Sequence, residues 1–240
     1  MRIRRRALAI LASMLCGVGV AQADNDFVVY SPYVVEGQSE VELSGFDNRD
    51  TRAAQNGVSG YNLSVAHAVN GWWKPELYLA QFNRAPGTAL RASGYEFENT
   101  FQLTERGEYW ADAGLLAAYV QSRLPDLPSR AEFGLLLEKW VGRIDQRLNL
   151  IAEKPAGGAY ALRSAYSVSY KIRTDSGAVS PGLEVYFRPA DNSYQIGPVL
   201  YGEVGTGGGR EFEYSIGFVN RINSAAADKT LLLRIGYEFF

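Results

Sequence analysis

Lys229-Thr-Leu-Leu-Leu-Arg-Ile-Gly-Tyr-Glu-Phe-Phe240 closes the chain, and its two-residue period decides the fold. Side chains on a strand alternate between faces. Leu231, Leu233, Ile235, Tyr237 and Phe239 therefore share one face, and Thr230, Leu232, Arg234, Gly236 and Glu238 share the other. The opposite end of the chain carries an export signal. Arg2, Arg4, Arg5 and Arg6 form a basic opening, Ala7 to Val20 are almost all apolar, and Ala21-Gln22-Ala23 supplies a small-x-small cleavage site. The apolar run is too short to span a bilayer as a helix. Cleavage after Ala23 leaves a chain that starts at Asp24.

Composition narrows the class. Cys16, the only cysteine, lies within the signal, so residues 24–240 carry neither a disulfide nor thiol chemistry. The formal charge is −2 with no basic tract, which argues against a nucleic-acid partner. Beyond residue 23 no apolar run approaches the ~18 residues of a spanning helix. An exported chain without such a helix can still enter a membrane as a closed sheet, which satisfies every backbone group internally.

Alternation and turn chemistry predict twelve strands, near 38–46, 60–69, 72–82, 94–103, 108–121, 131–140, 143–153, 160–173, 182–188, 193–203, 210–220 and 229–240. The pattern is clear where Phe212, Tyr214, Ile216 and Phe218 oppose Glu211, Glu213, Ser215 and Gly217, and where Tyr166, Val168, Tyr170 and Ile172 oppose Ser167, Ser169, Lys171 and Arg173. Asn70-Gly71, Thr104–Gly107 and Val141-Gly142 read as short turns at one end. Asp47–Ser59, Asn83–Ser93 and Ser122–Arg130 read as longer loops at the other. Trp72, Trp73, Trp110 and Trp140 all fall beside the short turns, as a girdle at one membrane boundary would.

The polar face of these strands is charged in a sorted way. Glu40, Glu42, Glu76, Glu96, Glu98, Asp112, Glu132 and Glu138 stand on the first six strands, and Arg147, Arg163, Lys171 and Arg173 on the next two. These twelve are the expected lining of a lumen. Two readings of that lining follow. The split sets up a transverse field that orients polar solutes, or the acids and bases interlock and fill a narrow bore. Glu96, Glu98 and Asp112 offer hard oxygens suited to calcium or magnesium, yet no compact loop presents them, and no metal site is expected. The sole histidine, His67, shares the apolar parity of Tyr61, Leu63 and Val65, so no catalytic residue is assigned. Gly205-Thr-Gly-Gly-Gly209 lacks the Gly-Lys-Ser/Thr of a phosphate loop, and no cofactor is expected.

With its export signal, alternating strands and closing Leu-Arg-Ile-Gly-Tyr-Glu-Phe-Phe, the chain resembles the porin-like outer-membrane β-barrel proteins of Gram-negative bacteria over residues 38–240. The resemblance implies an all-β, single antiparallel up-and-down transmembrane barrel in the outer membrane. Its partners are outer-membrane lipid, the barrel-assembly machinery and small polar solutes. The assembly signal is carried over onto Ile235, Tyr237 and Phe239, with Phe240 one residue beyond that register. The expected organisation is a cleaved signal over 1–23, a periplasmic N-terminal segment over 24–37, and the barrel over 38–240. The segment is apolar for a free tail (Phe27, Val28, Val29, Tyr30, Tyr33, Val34, Val35). It either crosses the periplasmic mouth or folds inward, and Pro32 keeps it out of a central ladder position. The leading function is a narrow diffusion channel for small polar or charged solutes. The alternatives are a non-conducting structural barrel and, with least support, a lipid-modifying enzyme.

Overall fold

The computed structural model describes residues 27–240 apart from Asp126; the export signal lies outside the described residues. The chain is a closed antiparallel barrel. Its strands are β1 (Ser39–Arg49), β2 (Ser59–His67), β3 (Trp73–Arg84), β4 (Arg91–Gln102), β5 (Asp112–Ser122), β6 (Arg130–Val141), β7 (Ile144–Pro155), β8 (Ala161–Tyr170), β9 (Ile172–Thr174), β10 (Gly177–Arg188), β11 (Ser193–Gly207), β12 (Arg210–Arg221) and β13 (Lys229–Phe239). The aromatic strand closes the cylinder: β13 pairs with β12 on one side and with β1 on the other, in register from Ser39↔Phe239 to Arg49↔Lys229. The first and last strands are thereby joined, as a sheet in hydrocarbon requires.

Twelve spans are present, with β8 and β9 forming the eighth together. The ladder is interrupted at Lys171 for a local reason. Gly182 faces Ser169 and Val179 faces Ile172, so Pro181 lies opposite Tyr170 and has no N–H to donate. Pro181 sits inside β10, which starts at Gly177 and leaves only Asp175-Ser176 as the turn. Sequence pattern had ended that connection at Pro181. The β4–β5 connection is also longer than Thr104–Gly107, running over 103–111.

The two ends of the barrel differ. Connections 142–143, 175–176 and 208–209 are tight turns at the end that also holds Ser39 and Phe239. Gly208 and Gly209 both have positive φ, 64° and 73°, the backbone that tight hairpin turns demand. Loops 50–58, 123–129 and 222–228 are longer and lie at the opposite end. Short turns mark the periplasmic end of such barrels, which places Ser39 and Phe239 on the periplasmic side.

The exterior is apolar. Leu43, Leu63, Leu115, Leu150, Ile216 and Leu233 stand exposed around the waist. Trp72, Trp73 and Trp110 lie on the outer surface or rim of the periplasmic end, with Trp72 stacked on Trp73 and on Phe101. Trp140 departs from the girdle: it shares the parity of buried Glu138 and lines the interior, its indole N–H donating to Glu138 Oε1 at 2.7 Å.

Residues 27–36 run through the inside of the barrel. Sequence reasoning had placed this segment at the periplasmic end, crossing the mouth or folding inward. At its foot the Tyr33 hydroxyl donates to Asp112 Oδ2, and the Val34 N–H donates to Gln102 Oε1 at 2.7 Å. At mid-height, Asn149 on β7 bonds both backbone groups of Tyr30, accepting from its N–H at 2.7 Å and donating to its carbonyl at 3.0 Å. The Ser31 hydroxyl donates to Glu138 Oε2 at 2.6 Å. At the top, Phe27 packs edge-on against Tyr186 and at a tilt against Phe46, both at 5.1 Å between centroids. An irregular strand inside a barrel needs such partners, since buried backbone polar groups are costly when unpaired.

Candidate functional site: the occupied lumen

The inner wall is built to accept this segment. Leu116, Ala118 and Leu136 point inward, where a water-filled bore would carry polar groups, and Tyr30 packs against them. Gly114 makes room for Pro32: a Cβ at residue 114 would lie 2.7 Å from the Pro32 Cβ and 2.9 Å from the Phe101 carbonyl oxygen. Below, the long β4–β5 connection folds back so that Arg106 stacks over the Tyr33 ring at 3.9 Å. It also donates the Gly107 N–H to Asp112 Oδ1 at 2.7 Å. The extra residues of that connection thus brace the segment's foot.

The outer end is sealed. Val29, Phe46, Val58, Ala165, Tyr186, Val219 and Leu232 form one buried apolar cluster with Phe27 packed against it. Above it, two loops lock together. The Arg52 guanidinium spans Asp50 and the carbonyls of Ser224 and Ala226, while Asp228 accepts from the Thr51 N–H and hydroxyl at 3.0 Å. The side-chain hydrogen bond from Arg52 holds the Asp50 carboxyl well below the usual carboxylate range, and backbone donation from Thr51 lowers that of Asp228.

The charged residues expected to line the lumen fall into three groups. On one wall, Arg163 reaches Glu132 at 2.6 Å and Glu153 at 2.5 Å, and Gln81 donates to Glu96 at 2.8 Å. Asp112 and Glu138 hold the inserted segment, and Glu98 lies buried beside Tyr30. Around the remaining space, Lys74 pairs with Glu40 at 3.2 Å, Arg234 with Glu42 at 3.2 Å, Arg147 with Asp145 at 2.9 Å, and Lys171 with Glu203 at 2.5 Å. Glu76 stands beside Lys74 and Ser64. The acids and bases are interlocked across strands, so the two walls do not stand as separate opposed fields. Arg173 lies apart, exposed at the periplasmic rim.

Beside the segment a polar space persists. A cavity of about 300 Å³ occupies the periplasmic half, and one of about 150 Å³ continues toward Val28 and Val29. Glu42, Arg147, Lys171, Glu203, Glu213 and Arg234 border both. Higher up, Glu184 accepts from Tyr201 at 2.6 Å and Tyr186 at 2.9 Å. The path narrows there and meets the apolar seal. Sequence reasoning missed Tyr201 and Glu203 as members of this lining.

His67 is exposed on the outer face, its Nδ1 2.9 Å from the Ser39 hydroxyl; among the described residues its ring donates to no carboxylate. Glu203, Glu211 and Glu213 bring carboxylate oxygens within 4.8 Å of one another, with Lys171 already paired to Glu203.

No protein-family model matches the sequence, and no curated protein does. Solved structures do match in fold. An outer-membrane channel from Pseudomonas putida F1 aligns over 91% of this chain and 100% of its own, with a TM-score of 0.59 and 10% identity. The NanC porin aligns over 83% of this chain and 99% of its own, with a TM-score of 0.52 and 10% identity. The fold of this chain is that of the porin-like outer-membrane β-barrels.

Proposed function

We propose that this protein is an outer-membrane channel for small charged or polar solutes, held closed by its own N-terminal segment. The observation that carries the reading is the pairing of a polar path with an apolar stopper. Ionisable and hydroxyl side chains border the space beside residues 27–36 as far as Glu184 and Tyr201, and Phe27 then meets Phe46 and Tyr186 across the outer mouth. A barrel meant only as a structural post has no need of that polar space, whereas a conducting path needs the stopper to move. The fold shared with an outer-membrane channel is consistent with this reading. The reading assigns no catalysis to His67, which faces away from the lumen.

Planar-bilayer recording tests it. The full-length barrel should show rare, small openings, and a variant lacking residues 27–36 should conduct steadily. Absence of current from both, in correctly folded protein, would leave the second reading: a filled, non-conducting barrel, which the buried apolar seal favours.

A further inference from the structure

A third cavity, of about 280 Å³, lies at the periplasmic rim and adjoins the lumen cavity through Arg106, Trp140 and Lys171. Its wall is assembled from three separate connections. The β4–β5 connection supplies Arg106, the β6–β7 hairpin supplies Lys139 and Arg143, and the β8–β9 junction supplies Lys171 and Arg173. The junction is fixed to the hairpin by the backbone, because the Lys171 N–H donates to the Arg143 carbonyl at 2.8 Å. That bond sets Lys171 and Arg143 side by side and brings Arg173 two residues away. The bond continues the β7–β8 register, in which Ile144 faces Tyr170.

Charge in the cavity is one-sided. Asp112 is the only carboxylate in the wall, and both of its oxygens are engaged, by the Tyr33 hydroxyl and the Gly107 N–H. Lys171 has its own partner in Glu203. For Arg106, Lys139, Arg143 and Arg173, no ion pair is recorded among the described residues. Four cations gathered around one concavity repel one another, and a concave, low-dielectric wall focuses the resulting potential. Guanidinium groups present paired donors that match carboxylate and phosphate oxygens.

We propose that this rim cavity binds a small multivalent oxyanion from the periplasm. The site stands on its own geometry, and it does not depend on whether the bore conducts. It does adjoin the segment's foot, since Arg106 stacks on Tyr33 and Asp112 holds the Tyr33 hydroxyl.

Titration calorimetry of the folded barrel in neutral detergent, with inorganic pyrophosphate as the probe, tests the site. Wild type should bind one equivalent. Arg143→Gln with Arg173→Gln should weaken binding about tenfold or more, since two of the charge contacts are lost. Lys154→Gln, a loss of positive charge at the opposite end of the barrel, should leave binding unchanged. Failure of wild type to bind, or equal weakening by Lys154→Gln, would overturn the proposal. So would binding only of phosphatidylglycerol added to the micelles, without competition from pyrophosphate, because the rim would then be a lipid contact. Heat-shifted gel mobility confirms that each variant is a folded barrel.

Discussion

Substituting Gly114 by valine should unseat the N-terminal segment while leaving the barrel closed. The Cβ that any larger residue brings would stand 2.7 Å from the Pro32 Cβ and 3.1 Å from its Cα, well inside van der Waals contact. Something must yield. β5 is held by continuous ladders to β4 and β6. The segment is held by isolated hydrogen bonds to Asn149, Glu138, Asp112 and Gln102, each worth about 1 kcal/mol net. Overpacking of this kind costs roughly 2 kcal/mol, which shifts the equilibrium between seated and released segment by about 30-fold. The readout is a cysteine at residue 29, which is 6% exposed as valine. In Val29→Cys, a water-soluble maleimide should react slowly, and in Val29→Cys with Gly114→Val about 30-fold faster. Equal labelling rates, in barrels of equal heat stability, would refute the placement of Pro32 against Gly114.

Other expectations follow from separate parts of the structure. Ile216 stands at the waist of the barrel, 48% exposed, so Ile216→Arg should cost about 2–4 kcal/mol in refolding titrations into lipid if this level is the bilayer midplane; a cost near zero would place that face in water. The outer-loop lock should fail in acid. The Asp50 carboxyl titrates lower when folded than when unfolded, so its contribution is complete above the unfolded value near ~3.9 and is lost as pH falls through the folded value. Hydrogen-exchange protection, relative to the intrinsic rate at each pH, should therefore fall in residues 50–58 and 222–228 below about pH 3, and protection unchanged with pH would argue against the Asp50–Arg52 clamp. Removal of Phe239 and Phe240 should lower the yield of inserted barrel in cells, and an unchanged yield would count against their assembly role.

Much of the cylinder was legible because its two faces meet different solvents. Lipid on one side and a polar interior on the other impose a two-residue period, and β12 and β13 carry it almost without exception. The errors have local causes. Pro181 looked like a turn residue, yet it lies within β10, where the missing N–H only interrupts the partner ladder. Trp140 sits beside a short turn, which suggested a membrane girdle, but its parity with Glu138 points it inward. The inserted segment was the main feature left open, and a signal for it existed. Leu115-Leu116 on β5 and Leu135-Leu136-Leu137 on β6 are apolar on both faces. An apolar inner face in a charged barrel means that something dry packs there, and residues 27–35 were the apolar stretch without a place. The ion pairing of the lumen was beyond sequence reasoning, because it depends on which strands curve to face each other.

Cross-linking across the lumen tests the whole account most directly. In a Cys16→Ser background, cysteines at Ser31 and Glu138, whose side chains now meet at 2.6 Å, should be joined by a short bifunctional thiol reagent in intact outer membranes. Folded protein should show a single intramolecular product with altered gel mobility. Two freely and separately labelled thiols, with no linked product, would contradict a segment seated inside the barrel.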